Sequence, residues 1–268
     1  MKKLLTLTFL ICVAQLFAQD YFEGKRLYCK CQNPEAIRLF NIGIETLYLN
    51  TSLNEKYLEK TAQVFFKAYK TDSTFCDAAF FTGYTLRLLN DKHALAYYYI
   101  ADSLAENKSI EFKSNMAAEA LRRNTPRGAE IALKKYSEIV QFFPESPEGY
   151  YGYAMLSPMI NEYGKGLEYI NIAIDKYNQA GKANEDAYYL KAILLALNTR
   201  YEEALEYFEK TRSTYKKEDH YKIYNALSLL KVSEAKNDPD MKKKAKKMYD
   251  KIEHKDLIPE DTAKLLVF

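Results

Sequence analysis

Histidine and glycine are both scarce in this chain. The three histidines, His93, His220 and His254, lie far apart, and none has a carboxylate or cysteine at the spacing of a catalytic motif. No glycine-rich phosphate loop, nucleophile elbow or His-Glu-x-x-His is present, so the chemistries that depend on those motifs have no foundation here. Nine glycines supply few turns, and no stretch alternates strictly between apolar and polar residues. A β-sheet reading therefore has no support. After residue 20 no apolar run approaches the roughly 18 residues of a membrane-spanning helix. The formal charge of +3 is too small for a global attraction to nucleic acid or anionic membrane. The most basic run, KKKAKK at 242–247, reads as the solvated part of a helix with Ala245 turned inward. Glu202 and Glu203 read as solvent-facing, not as an acid–base pair.

What is there begins with MKKLLTLTFLICVAQLFAQD. Two lysines, an apolar run to about Phe17 and small Ala18 form the layout of a secretory signal peptide. The expected organisation is a signal peptide at 1–18, an N-terminal extension at 19–33 and a single repeat domain at 34–268. The product would be exported, periplasmic or secreted, with no transmembrane segment in the mature chain. Ile11 stands before Cys12 where lipid attachment would want a small residue. Cys29, Cys31 and Cys76 remain after cleavage. In an oxidising compartment one disulfide is expected, joining Cys76 to Cys29 or Cys31, with one thiol left over. Cys29-x-Cys31 has no histidine nearby in sequence to complete a metal site, and neither metal nor cofactor is expected.

The dominant pattern is a triad of small, large and small-or-apolar residues at i, i+4 and i+7. It occurs as Thr61–Phe65–Ala68, Ala94–Tyr98–Ala101, Ala132–Tyr136–Ile139, Gly166–Ile170–Ala173, Ala204–Phe208–Thr211 and Ala245–Tyr249–Ile252. The first members are 33, 38, 34, 38 and 41 residues apart. Such residues share one helix face, and a period of this size marks a helical repeat. The triad helices are predicted at about 53–70, 91–105, 126–142, 162–178, 200–214 and 239–253. Their partners are predicted at about 35–49, 76–89, 109–123, 147–159, 184–198 and 218–235. Asn33-Pro34, Thr125-Pro126, Ser146-Pro147 and Asp238-Pro239 are capped starts, in which a side-chain oxygen meets orphan N–H groups and proline lacks one. PEDTAKLLVF at the end reads as a short capping helix.

With these features in place, the chain resembles the tetratricopeptide-repeat (TPR) family. The best match is 187–212, with Tyr188, Ala192, Tyr201, Ala204 and Phe208 at the family's aromatic and small positions. The second is 149–174, where Tyr150, Ala154, Tyr163, Ile170 and Ala173 correspond and Gly166 replaces alanine. Gly83 and Ala94 fit in 78–101. The first and last units are degenerate. The resemblance implies an all-α, right-handed superhelical solenoid of about six antiparallel hairpins, and it implies no reaction. Ala94, Tyr98, Ala132, Tyr136, Gly166, Ile170, Ala204, Phe208, Ala245 and Tyr249 are then packing residues.

The same resemblance directs certain first-helix positions to a concave groove: Phe80 and Tyr84, Tyr151 and Met155, Tyr189 and Ile193, then Lys222 and Ala226. Some TPR domains clamp a peptide carboxylate with asparagine at these places. Here Met155 and Ile193 stand instead, which argues against clamping. An apolar, aromatic lining suits a peptide or partner helix; the competing reading is that these residues pack against a neighbouring helix or the N-terminal segment. The expected function is a non-enzymatic, protein-binding scaffold of the cell envelope, with glycan or peptide capture as the alternative and no nucleic-acid partner. The triad itself is testable. Ala204→Leu is expected to overpack its hairpin at a cost of about 1–3 kcal/mol, and an unchanged urea midpoint would remove this alignment.

Overall fold

The computed structural model describes residues 27–49 and 54–268. The segment 1–18 read as a signal peptide lies outside the described residues, as does most of the extension 19–33. Among the described residues there are thirteen α-helices and no strand. They are α1 Pro34–Leu49, α2 Glu55–Thr71, α3 Cys76–Leu88, α4 Ala94–Leu104, α5 Ile110–Arg122, α6 Pro126–Phe142, α7 Pro147–Leu156, α8 Tyr163–Gln179, α9 Glu185–Leu197, α10 Tyr201–Glu209, α11 Asp219–Lys236, α12 Pro239–Tyr249 and α13 Glu260–Leu265. None is long and apolar enough to cross a membrane.

The helices start where side chains can take up their orphan N–H groups. Asn33 accepts from Glu35 and Ala36, Thr125 from Gly128, Ser146 from Glu148 and Asp238 from Met241. These are the four Xaa-Pro starts read from the sequence. Asn54, Ser109 and Asn184 cap α2, α5 and α9 in the same way. The first helices of five hairpins stop at a left-handed residue: Asn90, Asn124, Asn161, Thr199 and Asn237, with φ between 48° and 60°. At four of these turns the N–H of the following residue reaches back five positions to a carbonyl, as in Asp91 to Leu86 (2.8 Å), Glu162 to Ser157 (3.0 Å), Arg200 to Leu195 (2.9 Å) and Asp238 to Ser233 (3.0 Å). This is the Schellman closure, and it turns the chain back within a few residues.

The chain divides into two compact units, one ending at Lys135 and the other running Tyr136–Phe268, with the division inside α6. In the first unit α1 packs on α2, α2 on α3, α3 on α4 and α4 on α5. Its core centres on Phe40, Phe65, Phe75 and Phe81, with Phe40 within 4.9–5.5 Å of the other three rings. A buried carboxylate, Asp102 on α4, takes Lys113 of α5 at 3.0 Å and Lys135 of α6 at 2.6 Å. The N-terminal strap is fixed by the Cys29–Cys76 disulfide, one of the two pairings the sequence left open, and Cys31 is a buried thiol. Closing a separation of 47 residues is worth about 4 kcal/mol in the chain-entropy model. Beside it, buried Asp77 accepts the N–H of Tyr28 (3.1 Å) and of Cys29 (2.9 Å).

In the second unit α7 pairs with α8, α9 with α10 and α11 with α12. First helices also meet each other, α7 with α9 and α9 with α11, so they line up on one side. The C-terminal segment contributes Leu266 to the core, and the Phe268 ring lies 5.2 Å from that of Tyr249. Gly166 stands where other hairpins have alanine because Ser157 fills the place. A Cβ there would fall 1.8 Å from the Ser157 hydroxyl, which donates to the Ala154 carbonyl. Every triad residue in both units is buried except Tyr249, which is half-buried at the last hairpin.

Two outcomes follow from these local structures. Thr199 is β-branched and holds φ at 60°, a conformation that costs roughly 1–2 kcal/mol for such residues and little for glycine. Thr199→Gly is therefore expected to stabilise the second unit by about 0.5–1 kcal/mol in urea denaturation; a destabilised variant would contradict the closure. Asp77 is pushed up to about 6, chiefly by burial, against the two N–H donors that pull it down. Between the usual carboxylate range and about 6 the folded chain binds more protons than the unfolded chain. Stability is therefore expected to fall as pH rises through that window, by up to about 3 kcal/mol. Asp77→Asn should flatten this slope, and the same slope in both proteins would rule the carboxyl out as its source.

Candidate functional site

The first-helix face separates the groove candidates by burial. Phe80, on α3, is taken up by packing: its ring stacks on Phe112 at 4.5 Å and lies 5.5 Å from Tyr98. The reason is that every residue of CDAAFFTG is buried, beneath α4, α5 and the strap. Tyr84, one turn on, is half-buried with its ring 6.2 Å from Phe81. Lys222 on α11 is also internal. Its ammonium donates to Asp219 at 2.8 Å, and the same carboxylate accepts the N–H groups of Glu253 and His254, which lays the 253–254 segment beside it. Ala226 is fully buried.

The second unit retains Tyr151 and Met155 on α7 and Tyr189 and Ile193 on α9. Met155 is 38% exposed and the others are half-buried. Helical spacing of four places the two members of each pair on one face, and contact between α7 and α9 places the pairs side by side. Tyr151 sits edge-on to Tyr177 of α8 at 6.4 Å. Tyr189 stacks on Tyr215 at 4.2 Å and lies 6.3 Å from Tyr221. Burial pushes the Tyr151 phenol up to about 12, with Asp186 and Tyr215 adding to it. The Tyr177 and Tyr189 phenols are raised too, again by burial first, then by Glu148 for Tyr177 and Glu218 for Tyr189. All remain protonated through the physiological range.

Three residues of this face escape a reading of the repeat positions alone. Tyr215 comes from the connection between α10 and α11, which runs nine residues, Lys210–Glu218. Its length and its single tyrosine are the signal that could have found it. Tyr177 belongs to a second helix and reaches forward from its last turn. Asp186, in the first turn of α9, lies beside Tyr151 and within hydrogen-bonding reach of the Tyr215 hydroxyl, and its Oδ1 is closed off from solvent. The arrangement offers ring surface, protonated phenols and an acceptor.

Among the described residues, the one grouping with three potential metal-ligand atoms within 4.8 Å is Cys29, Cys76 and Asp77. Both sulfurs there are committed to the disulfide.

No protein-family model and no curated protein matches the sequence. Solved structures do match its fold. MamA from Desulfovibrio magneticus RS-1 is 16% identical, with a TM-score of 0.56 over 67% of this chain and 94% of that one. YrrB, described as a TPR protein with an unusual peptide-binding site, is 15% identical, with a TM-score of 0.54 over 76% and 97%. PilW, described as a widely conserved type IV pilus biogenesis factor, is 14% identical, with a TM-score of 0.55 over 88% and 100%. At these identities the likeness speaks to architecture, and it agrees with the triads, the hairpins and the turns. The chain has the all-α, helix-hairpin fold of tetratricopeptide-repeat proteins.

Proposed function

We propose that the protein is a non-enzymatic scaffold of the cell envelope that holds a peptide or protein segment on the first-helix face of α7 and α9. The observation that carries this reading is the face shared by α7 and α9, where Tyr151, Met155, Tyr189 and Ile193 all stay partly open, with Asp186 beside Tyr151. Apolar rings would cover the segment's side chains. The description of YrrB as peptide-binding supports the reading at the level of fold. A glycan would need an open ring face, and stacking on Tyr215 takes up one face of Tyr189. The peptide reading is therefore preferred. Export to the periplasm or beyond is part of the proposal, supported by the basic–apolar–small N-terminal pattern and by the Cys29–Cys76 disulfide, which suits an oxidising compartment.

The test is affinity capture from the native envelope with crosslinking, comparing wild type with Tyr151→Ala/Tyr189→Ala and with Met155→Glu. The last change is at an exposed position and should leave thermal unfolding within about 0.5 kcal/mol of wild type. Both variants are expected to lose partners that wild type retains. Equal recovery of every partner by all three proteins would sink the assignment, and calorimetric binding of oligosaccharides but not peptides would replace it with glycan capture.

A further inference from the structure

A second candidate surface lies in the first unit. α2, α3 and α4 enclose a cleft of about 730 Å³, within the range of roughly 300–1,000 Å³ usual for ligand sites. One wall is a stripe of α2 at helical spacing: Glu55, Glu59, Ala62, Gln63 and Phe66. Thr82, Leu86 and Leu89 supply an apolar stretch from α3 and the residue after it. Tyr97 of α4 meets Phe66 edge to face at 6.0 Å. Asp91 and His93 complete the lining from the turn between α3 and α4.

The charge of this cleft is one-sided. Three carboxylates line it, and among the described residues neither lysine nor arginine does. Glu55 and Glu59 are exposed and engage no basic side chain in the described structure. Asp91 is held ionised by the His93 N–H, which donates to it at 2.7 Å; the imidazole nitrogen of His93 sits at the same distance. The rings favour a cation as well. Lys70 already places its ammonium 5.8 Å from the centre of Phe66, the geometry of a cation–π contact. The carboxylates are too dispersed to chelate a metal ion: no three of their oxygens come within 4.8 Å of one another. Dispersed negative charge along an apolar, aromatic cleft matches an extended occupant that alternates cationic and apolar side chains.

We propose that this cleft is a docking site for a basic peptide segment of another protein, with lysine or arginine heads on Glu55, Glu59 and Asp91, a cationic stem against Phe66 and Tyr97, and intervening apolar side chains on Leu86 and Leu89. It is independent of the first-helix face, so a bound scaffold would hold two segments of unlike chemistry. A basic partner would also be drawn in from a distance, with the attraction weakening as salt rises.

The experiment uses the full chain and two labelled hexapeptides, one of alternating lysine and leucine and one with glutamate in place of lysine, followed by fluorescence anisotropy. The lysine peptide is expected to bind and the glutamate peptide to fail. Glu55→Gln/Glu59→Gln, two changes at exposed positions, should weaken binding about tenfold with unaltered thermal unfolding. Tyr151→Ala should leave it unchanged. Zero-length carbodiimide crosslinking read by mass spectrometry is expected to join the peptide's lysines to Glu55, Glu59 or Asp91. Equal affinity of the double variant, or crosslinks confined to other carboxylates, overturns the proposal. So does concentration-dependent self-association that Lys243→Glu/Lys246→Glu abolishes while the peptide fails to crosslink in the cleft, because the occupant would then be α12 of a second copy.

Discussion

Helix pairs in most hairpins of this chain approach closely where a residue with almost no side chain faces its neighbour, and much of the rest follows from that constraint. Ala94, Ala132, Ala204 and Ala245 are fully buried at these points, and Gly166 goes one step further to admit Ser157. Close approach brings the i+4 residue, Phe65, Tyr98, Ile170 or Phe208, into the space that the next helix must share. A single hairpin then has apolar surface on both sides and can bury only one of them. Each unit is stable because its hairpins supply each other's missing half. Polar groups are admitted to the interior on the same terms. Asp102 is inside because Lys113 and Lys135 reach it from two further helices, and such a pairing is costly to break one partner at a time.

The fold was legible in the sequence to the extent that its determinants are local. The triads needed only helical spacing, and the capped starts needed only a polar residue before proline. Asn33, Thr125, Ser146 and Asp238 all do that work in the structure. The asparagines at 90, 124, 161 and 237 were an equally local signal. They mark the end of a first helix because asparagine tolerates the left-handed conformation that the closure requires.

The site was less legible, for a physical reason. Phe80 and Tyr151 occupy comparable repeat positions, yet one stacks inside a core and the other stays half-open. What separates them is the neighbouring covering: Phe112 and the disulfide-bound strap beside α3, against Tyr177 and the long connection near α7 and α9. Lys222 was misplaced similarly, because its partner Asp219 is held by backbone N–H groups some 35 residues later. A degenerate repeat consensus records which residues face the neighbouring helix. It does not record which connections fold back over the face that remains.

That distinction bears on how such a protein acquires specificity. The packing positions are constrained by close approach and admit little variation, so partner selection has to reside in residues the packing leaves alone. On the proposed second-unit face these would be first-helix aromatics trimmed by a connection that brings Tyr215 onto Tyr189 and by Asp186 at a helix start. In the first unit they are carboxylates on the opening turns of a second helix and on a turn, set around Phe66 and Tyr97. The first face is apolar with a single acceptor, and the second is acidic along its length. A segment suited to one would be a poor fit to the other, because an apolar face desolvates cations without repaying them and dispersed carboxylates repel an acidic ligand. Two faces of such different chemistry would suit unlike segments.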